Sequence, residues 1–473
     1  MEITGFSYFI FFSLVLLAHY LLTGRDAAQK ALLTAASYYF YATVDWRFTG
    51  LLLGFTVINW LAGEVVATSM KRRHARWAVA MAVLTSLGVL FYFKYLNFFA
   101  GMANSLSAWL GGDALVPLVG VLLPVGISFL AFQAITYPVD LYAGRLQQRA
   151  SFGDFCLYMA FFPRLLAGPI VPAAQFLPQL QRPLGEVSAD QRFAGATLVM
   201  CGLVKKIVLA DTLGEHLVDP AFAQPGNYGS AFLWLALFGY SLQTYLDLSG
   251  YTDIALGTAG MLGYTLPPNF NRPYMAVSIA NFWQRWHISM SSFFRNYLYQ
   301  PLKNHWRAPA TVNLLITFVA IGLWHGAGWN FICYGLLHGS MVALEQWRSR
   351  RRRAAGLPQP VYHGRRLAVR VAWIFLLVSL ARLLFRADSV AAAGNYLQLL
   401  LLPHGGSYPV TWPAVLALAA SALLHWSPVA WRERVHQWLG GQPAWRFGAQ
   451  FAGLVYLLIA FSPGTARFIY FQF

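Results

Sequence analysis

Long apolar runs separated by short polar stretches organise this chain, at residues 6–22, 48–70, 77–100, 231–246, 312–323, 367–384 and 451–461. An α-helix needs roughly 20 residues to cross a hydrocarbon core of about 30 Å, and several of these runs reach that length. The shorter ones predict tilted, buried or re-entrant helices. Backbone polar groups in lipid must be satisfied within the segment itself, so continuous apolar runs predict helices. A membrane β-barrel would instead show short stretches of alternating polarity. The pattern predicts an all-α polytopic membrane protein of about ten to twelve membrane segments.

The middle of the chain breaks the pattern. Between residues 123 and 339, Pro, Gly, Asn, Trp and ionisable residues interrupt the apolar segments, as in Pro124-Val-Gly126, Phe162-Pro-Arg-Leu-Leu-Ala-Gly168-Pro169, Pro267-Pro-Asn-Phe-Asn-Arg-Pro273 and Gly322-Leu-Trp-His325-Gly326. Irregular backbone at membrane depth is tolerated only against protein or a water-filled cavity. The expected organisation is one integral membrane domain over 1–473, with N-terminal scaffold helices at 1–122, a working core at 123–345 and C-terminal helices at 346–473. Met1-Glu2-Ile3 lacks the basic start of a cleavable signal peptide, so 6–22 reads as the first membrane helix. Arg25 and Lys30 behind it place the N-terminus outside and the next loop in the cytoplasm.

Composition sharpens this reading. Hydrophobic residues make up 58% of the chain and charged residues 11%, whereas soluble domains carry about 25% charged residues. The net charge of +17 sits in clusters between apolar runs: Lys71-Arg72-Arg73-His74-Ala75-Arg76, Arg145 to Arg149, Arg348 to Arg353 and Arg365-Arg366. That distribution follows the positive-inside rule and suits contact with anionic membrane lipids. It argues against nucleic acid as a partner, which would require a basic surface mixed with exposed aromatics on one domain. Lys205-Lys206 reads as a helix end at the cytoplasmic face, snorkelling or meeting the phosphates of a donor. Cys156, Cys201 and Cys333 offer neither a metal spacing nor a disulfide framework and read as buried helical cysteines.

Two histidines carry candidate chemistry, because ionisable residues inside membrane segments are costly and default to function. His287 lies in Asn281-Phe-Trp-Gln-Arg-Trp-His-Ile-Ser-Met-Ser-Ser-Phe-Phe-Arg-Asn-Tyr-Leu-Tyr-Gln-Pro301. Read as one helix, this stretch sets Phe282, Arg285, Ser289, Ser292 and Asn296 on neighbouring faces, with Trp283, Trp286 and Met290 as an apolar stripe. An interfacial or re-entrant helix beside a polar cavity is expected. His325 lies in Ile321-Gly-Leu-Trp-His-Gly-Ala-Gly-Trp-Asn330, where three glycines allow another chain segment or a thin ligand such as a pantetheine arm to approach the backbone. A neutral imidazole can take a proton from a hydroxyl, the requirement for moving an acyl group from a thioester to an alcohol. Either histidine alone also fits a structural role.

Further along, Asp247-Leu-Ser-Gly-Tyr-Thr-Asp253, Asn269-Phe-Asn-Arg-Pro-Tyr274, Phe282-Trp-Gln-Arg-Trp-His-Ile-Ser289, Tyr297-Leu-Tyr-Gln-Pro-Leu302 and Gly322-Leu-Trp-His-Gly-Ala327 follow in order. Together they resemble the core of the membrane-bound O-acyltransferase family, in its bacterial branch typified by the membrane subunit of alginate O-acetylation. Pro124-Val-Gly-Ile-Ser-Phe129, Phe132-Gln, Tyr137-Pro-Val-Asp140 and Phe161-Phe-Pro-Arg-Leu-Leu-Ala-Gly-Pro169 match upstream, and weaker similarity begins near Ser37-Tyr-Tyr-Phe-Tyr41. The resemblance implies a helical bundle around a central tunnel, with His325 as the catalytic histidine and His287 as the second active-site position. It makes Arg285, Asp247, Trp324, Asn281 and Ser289 substrate-binding or site-shaping residues, with packing and helix–helix hydrogen bonding as the alternative. His338, in Gly335-Leu-Leu-His-Gly339, reads as structural. Where this branch carries a Gly-Gly-Asn-Arg-like turn, the chain has Lys303-Asn-His-Trp-Arg307, a departure that points to a different acceptor.

The implied reaction moves an acetyl group from cytoplasmic acetyl-CoA, with no bound cofactor and no metal. The acceptor is a polysaccharide hydroxyl or a periplasmic SGNH-type partner in a bacterial inner membrane. Peptidoglycan O-acetylation and D-alanyl transfer to teichoic acid are alternatives within the same chemistry. A transporter or flippase of an acyl or lipid-linked donor is the alternative from another class, although no internal repeat of the kind transporters often carry is found.

Overall fold

The apolar runs fold into helices because a helix satisfies its own backbone, and no strand occurs among the described residues. The computed structural model describes residues 1, 3–166, 168–183, 185–306 and 308–460. Parts of four expectations lie outside these: Glu2 of the chain start, Ala167 of the Phe161–Pro169 motif, Arg307 of the departing loop and residues 461–473 of the C-terminal region. Among the described residues, four continuous helical stretches are long and apolar enough to cross a membrane: Asp26–Thr68, Arg72–Trp109, Ala189–Ala223 and Gly364–Arg386. Trp412–Trp426 with Val429–Gly440, bent by 104°, makes a fifth if the pair is one broken span. Extended Asp45 divides the first stretch into Asp26–Asp45 and Thr49–Thr68, each of 20 residues, or about 30 Å. By length and composition alone, fewer helices qualify than the ten to twelve segments expected. Other apolar runs fall in shorter helices such as Phe6–Leu21 and Ala310–His325, or in helices interrupted by polar side chains.

Packing divides the chain into two units, one of Met1–Val199 with Thr252–Pro267 and one of Met200–Tyr251 with Pro268–Phe473. In the first, Tyr8, Phe11, Phe12, Phe40 and Phe162 form an aromatic core with ring centroids 5.2–6.4 Å apart. The motifs upstream of the histidines build a polar network beside it. Gln133 donates to the Tyr158 carbonyl at 2.6 Å, Thr136 and Tyr158 share a hydroxyl bond at 2.8 Å, and the buried Arg164 guanidinium lies 4.5 Å from the Phe176 ring. Arg164 also donates to the carbonyls of Tyr158 and Val171. These residues brace a bundle whose backbone is broken at Gly126, where φ is +75°.

In the second unit the helices Ala310–His325 and Trp329–Ala354 pack as a tight pair. A Cβ at Gly322 would collide with the Phe331 carbonyl, one at Gly326 with the Phe331 ring, and one at Gly335 with the Phe318 carbonyl. The close approach expected at the Gly322 and Gly326 backbones is therefore taken by the following helix, and no space for a pantetheine arm is left there.

Three other expectations change. The stretch from Asn281 to Pro301 is not one helix: Ile279–Arg285 ends at Trp286, and His287 turns the chain into Ile288–Phe294, a π-turn Arg295–Tyr299 and Gln300–His305. The faces read from a single helical wheel do not survive that break. Lys205-Lys206 is not a helix end, since both lie in the π-helical segment Val204–Ala210 inside the Ala189–Ala223 span, with Lys206 buried. Cys156 is buried as expected, but Cys333 is half-buried and Cys201 is exposed, facing outward from an apolar span that lipid can cover.

Candidate active site

His287 is held by its backbone before its side chain does anything. Its φ of +42° and ψ of +56° are left-handed, a conformation that costs a non-glycine residue roughly 1–3 kcal/mol and persists only where neighbours enforce it. Asn269 does so. Its carbonyl accepts the Ile288 N–H at 2.8 Å, and its side-chain oxygen accepts the Ser289 N–H at 3.1 Å and hydroxyl at 2.9 Å. A second left-handed residue, Arg272, with φ +47°, starts the turn, and Asn271 N–H donates to the Arg285 carbonyl at 2.9 Å. The Asn269-Phe-Asn-Arg-Pro motif is thus the clamp that presents His287.

His325 is presented differently, as the last residue of a regular helix. The indole of Trp324 brings the two together. Its centroid lies 5.5 Å from the His287 ring and 4.8 Å from the His325 ring, in edge-to-face geometry with each. Phe385 and Tyr334 complete the wall around His325 at 4.9 and 6.2 Å. All five rings are buried. Such an enclosure excludes water and strengthens every polar interaction inside it.

The remaining expected residues divide. Ser289 is buried beside His287 on Asn269. Arg285 and Asn281 bond to one another at 3.1 Å, and Arg285 reaches the Asn271 carbonyl at 3.2 Å, so both are placed on the clamp and are only partly buried. Asp247 lies 2.7 Å from the Lys206 ammonium, which meets Asp211 at the same distance. His338 is fully buried and accepts from the Trp283 indole N–H at 3.3 Å on Nδ1, which leaves its own proton on Nε2.

Sequence reasoning missed Arg382, on the helix Gly364–Arg386. It is 3% exposed, with its guanidinium 4.3 Å from the Trp286 ring and 5.9 Å from the Tyr274 ring. An isolated buried ion costs about several kcal/mol even after relaxation, and stacking on an aromatic face returns roughly 2 kcal/mol. The signal was present in the sequence: an arginine inside the apolar run 367–384. Tyr334 and Phe385 gave no such signal, because an aromatic residue in an apolar helix is ordinary core.

The fold and the site describe a polytopic helical protein with two histidines against one buried indole. Comparison with known sequences gives the class. The membrane-bound O-acyltransferase family profile matches residues 76–385. A probable alginate O-acetylase of Pseudomonas aeruginosa is 38% identical over 80% of this chain and 71% of its own length. One of Azotobacter vinelandii is 36% identical over 81% and 74%. A peptidoglycan O-acetyltransferase of Helicobacter pylori is 31% identical over 78% and 73%. The chain belongs to the membrane-bound O-acyltransferase family. It is an O-acyltransferase and a multi-pass membrane protein.

Proposed function

We propose that this protein transfers an acetyl group from cytoplasmic acetyl-CoA toward the hydroxyl groups of a secreted polysaccharide. The observation that carries this reading is the placement of His287 and His325 against one buried indole, that of Trp324. His325 is the general base. It takes the proton of the accepting hydroxyl as that oxygen attacks the thioester carbonyl carbon; the carbon–sulfur bond then breaks and the thiolate leaves with the proton. The C-terminal end of its helix stabilises the positive charge gained on the way. His287 orients the reacting carbonyl or donates to its developing oxyanion. Ser289 supports His287 through Asn269, Trp324 sets both imidazoles, and Arg285 with Asn281 steadies the turn.

The alginate O-acetylases among the relatives favour an exopolysaccharide acceptor of that kind, reached through a periplasmic SGNH-type partner in a bacterial inner membrane. The peptidoglycan O-acetyltransferase of comparable coverage keeps cell-wall glycan as the second reading. The test is acetyl ester content of surface polymers in a deletion strain complemented with wild type, His325→Ala or His287→Ala, with membrane levels checked by immunoblot. Ester lost with His325→Ala at normal protein level supports the reading, and the polymer that loses ester names the acceptor. Full ester content with His325→Ala removes His325 as the base.

A further inference from the structure

Three cations of the second unit that are buried or half-buried have partners. Lys206 lies between Asp211 and Asp247. Arg386, one turn beyond Arg382 on the same helix, is paired with Asp219 at 3.0 Å. Arg370, on the same helix, donates to the Val277 carbonyl at 2.7 Å. Arg382 stacks on aromatic faces instead: among the described residues its Nε meets no acceptor, and its guanidinium forms no ion pair.

Its position ties it to both histidines. The guanidinium stacks on Trp286, the residue before His287, at 4.3 Å. One turn along the helix from Arg382, Phe385 packs its ring 4.9 Å from that of His325. Tyr334 belongs to the wall around His325 and packs against His338 with ring centroids 4.5 Å apart. His338 adds a second donor, since its Nδ1 is occupied by Trp283 and its Nε2 meets no acceptor among the described residues. A fixed positive charge in a site of low polarity, with no protein anion paired to it among the described residues, is a ready partner for a negative charge that arrives or forms there.

We propose that Arg382 is an anion-binding residue of the acyl-transfer site, holding a negatively charged oxygen of the substrate. The proposal rests on the acyltransferase reading above. Two sources offer such an oxygen: the thioester carbonyl as the hydroxyl adds to it, and the phosphates of the donor.

The experiment uses the full-length protein in proteoliposomes, with an alginate oligosaccharide supplied as the hydroxyl acceptor and thiol release from acetyl-CoA measured for wild type, Arg382→Met, Arg382→Lys and His325→Ala. Methionine keeps the packing on Trp286 and Tyr274 and removes the charge. A guanidinium that served only as packing would be replaced without loss, because apolar groups of similar volume substitute for buried charges at little cost to stability. The expected result is that Arg382→Met inserts and melts no lower than wild type. Its kcat/KM falls about a hundredfold, in the range for loss of one oxyanion donor, and Arg382→Lys recovers part of it. Acetyl-pantetheine, which lacks phosphates, separates the sources. A defect that persists with it, carried in kcat, assigns the reacting oxygen; a defect confined to acetyl-CoA, carried in KM, assigns the donor phosphates. Activity of Arg382→Met within twofold of wild type overturns the proposal, and so does a folding defect in Arg382→Met that Arg382→Lys repairs in stability without a matching change in rate. A wild-type protein that releases no thiol above His325→Ala counts against the acyltransfer reading instead.

Discussion

Two buried polar regions of the second unit handle charge in opposite ways. Around Lys206, one ammonium meets two carboxylates, Asp211 and Asp247, each at 2.7 Å, inside a π-helical segment. Around His325, aromatic rings replace counter-ions, and Arg382 rests on Trp286 with no carboxylate paired to it among the described residues. The first arrangement satisfies its charges internally, as a scaffold must at membrane depth. The second leaves electrostatic capacity for a substrate. The wider lesson is that an ionisable residue in a membrane segment points to function most strongly when the protein has not already neutralised it. By that measure the proposal gives Arg382 a stronger claim to the site than Asp247.

Substitutions can break this contrast. The largest effect is expected at His325: His325→Ala should lower acetyl transfer by about 10³-fold, the middle of the range for a general base, with membrane accumulation unchanged on immunoblots. Lys206→Met should act in the reverse sense. It strands the buried Asp247 carboxylate and the half-buried one of Asp211 at a cost of about 3–5 kcal/mol, seen as a lower melting temperature of the detergent-solubilised protein and weaker accumulation. Replacing the whole cluster, as Lys206→Met with Asp211→Asn and Asp247→Asn, should recover most of that stability. If it also recovers transfer, the cluster is scaffold; if stability returns without transfer, Asp247 belongs to the site after all.

Smaller effects sharpen the same division. Gly322→Ala drives a Cβ into the Phe331 carbonyl and should cost about 1–3 kcal/mol by overpacking, lowering stability and transfer together because His325 ends the same helix. Ser289→Ala removes one hydrogen bond to Asn269, worth roughly 1 kcal/mol. It should lower transfer severalfold with a small change in melting temperature, since the left-handed backbone of His287 is what that bond helps to enforce.

The apolar runs by themselves determined the helical membrane class, because a chain in lipid has no other way to satisfy its backbone. The ordered motifs determined the family and singled out His287, His325 and Trp324, since these residues are adjacent to, or part of, short contiguous patterns. Tertiary structure decided the rest. The break at His287 depends on Asn269 eighteen positions upstream, a hydrogen bond that no helical wheel can contain. The glycines beside His325 read equally well as room for a ligand or for a helix until Phe331 is seen to fill them. Whether Lys206, Asp247 and Arg382 are paired depends on which helices face each other. Charge and hydrophobicity are properties of a residue, but neutralisation and enclosure belong to neighbours that are distant in sequence.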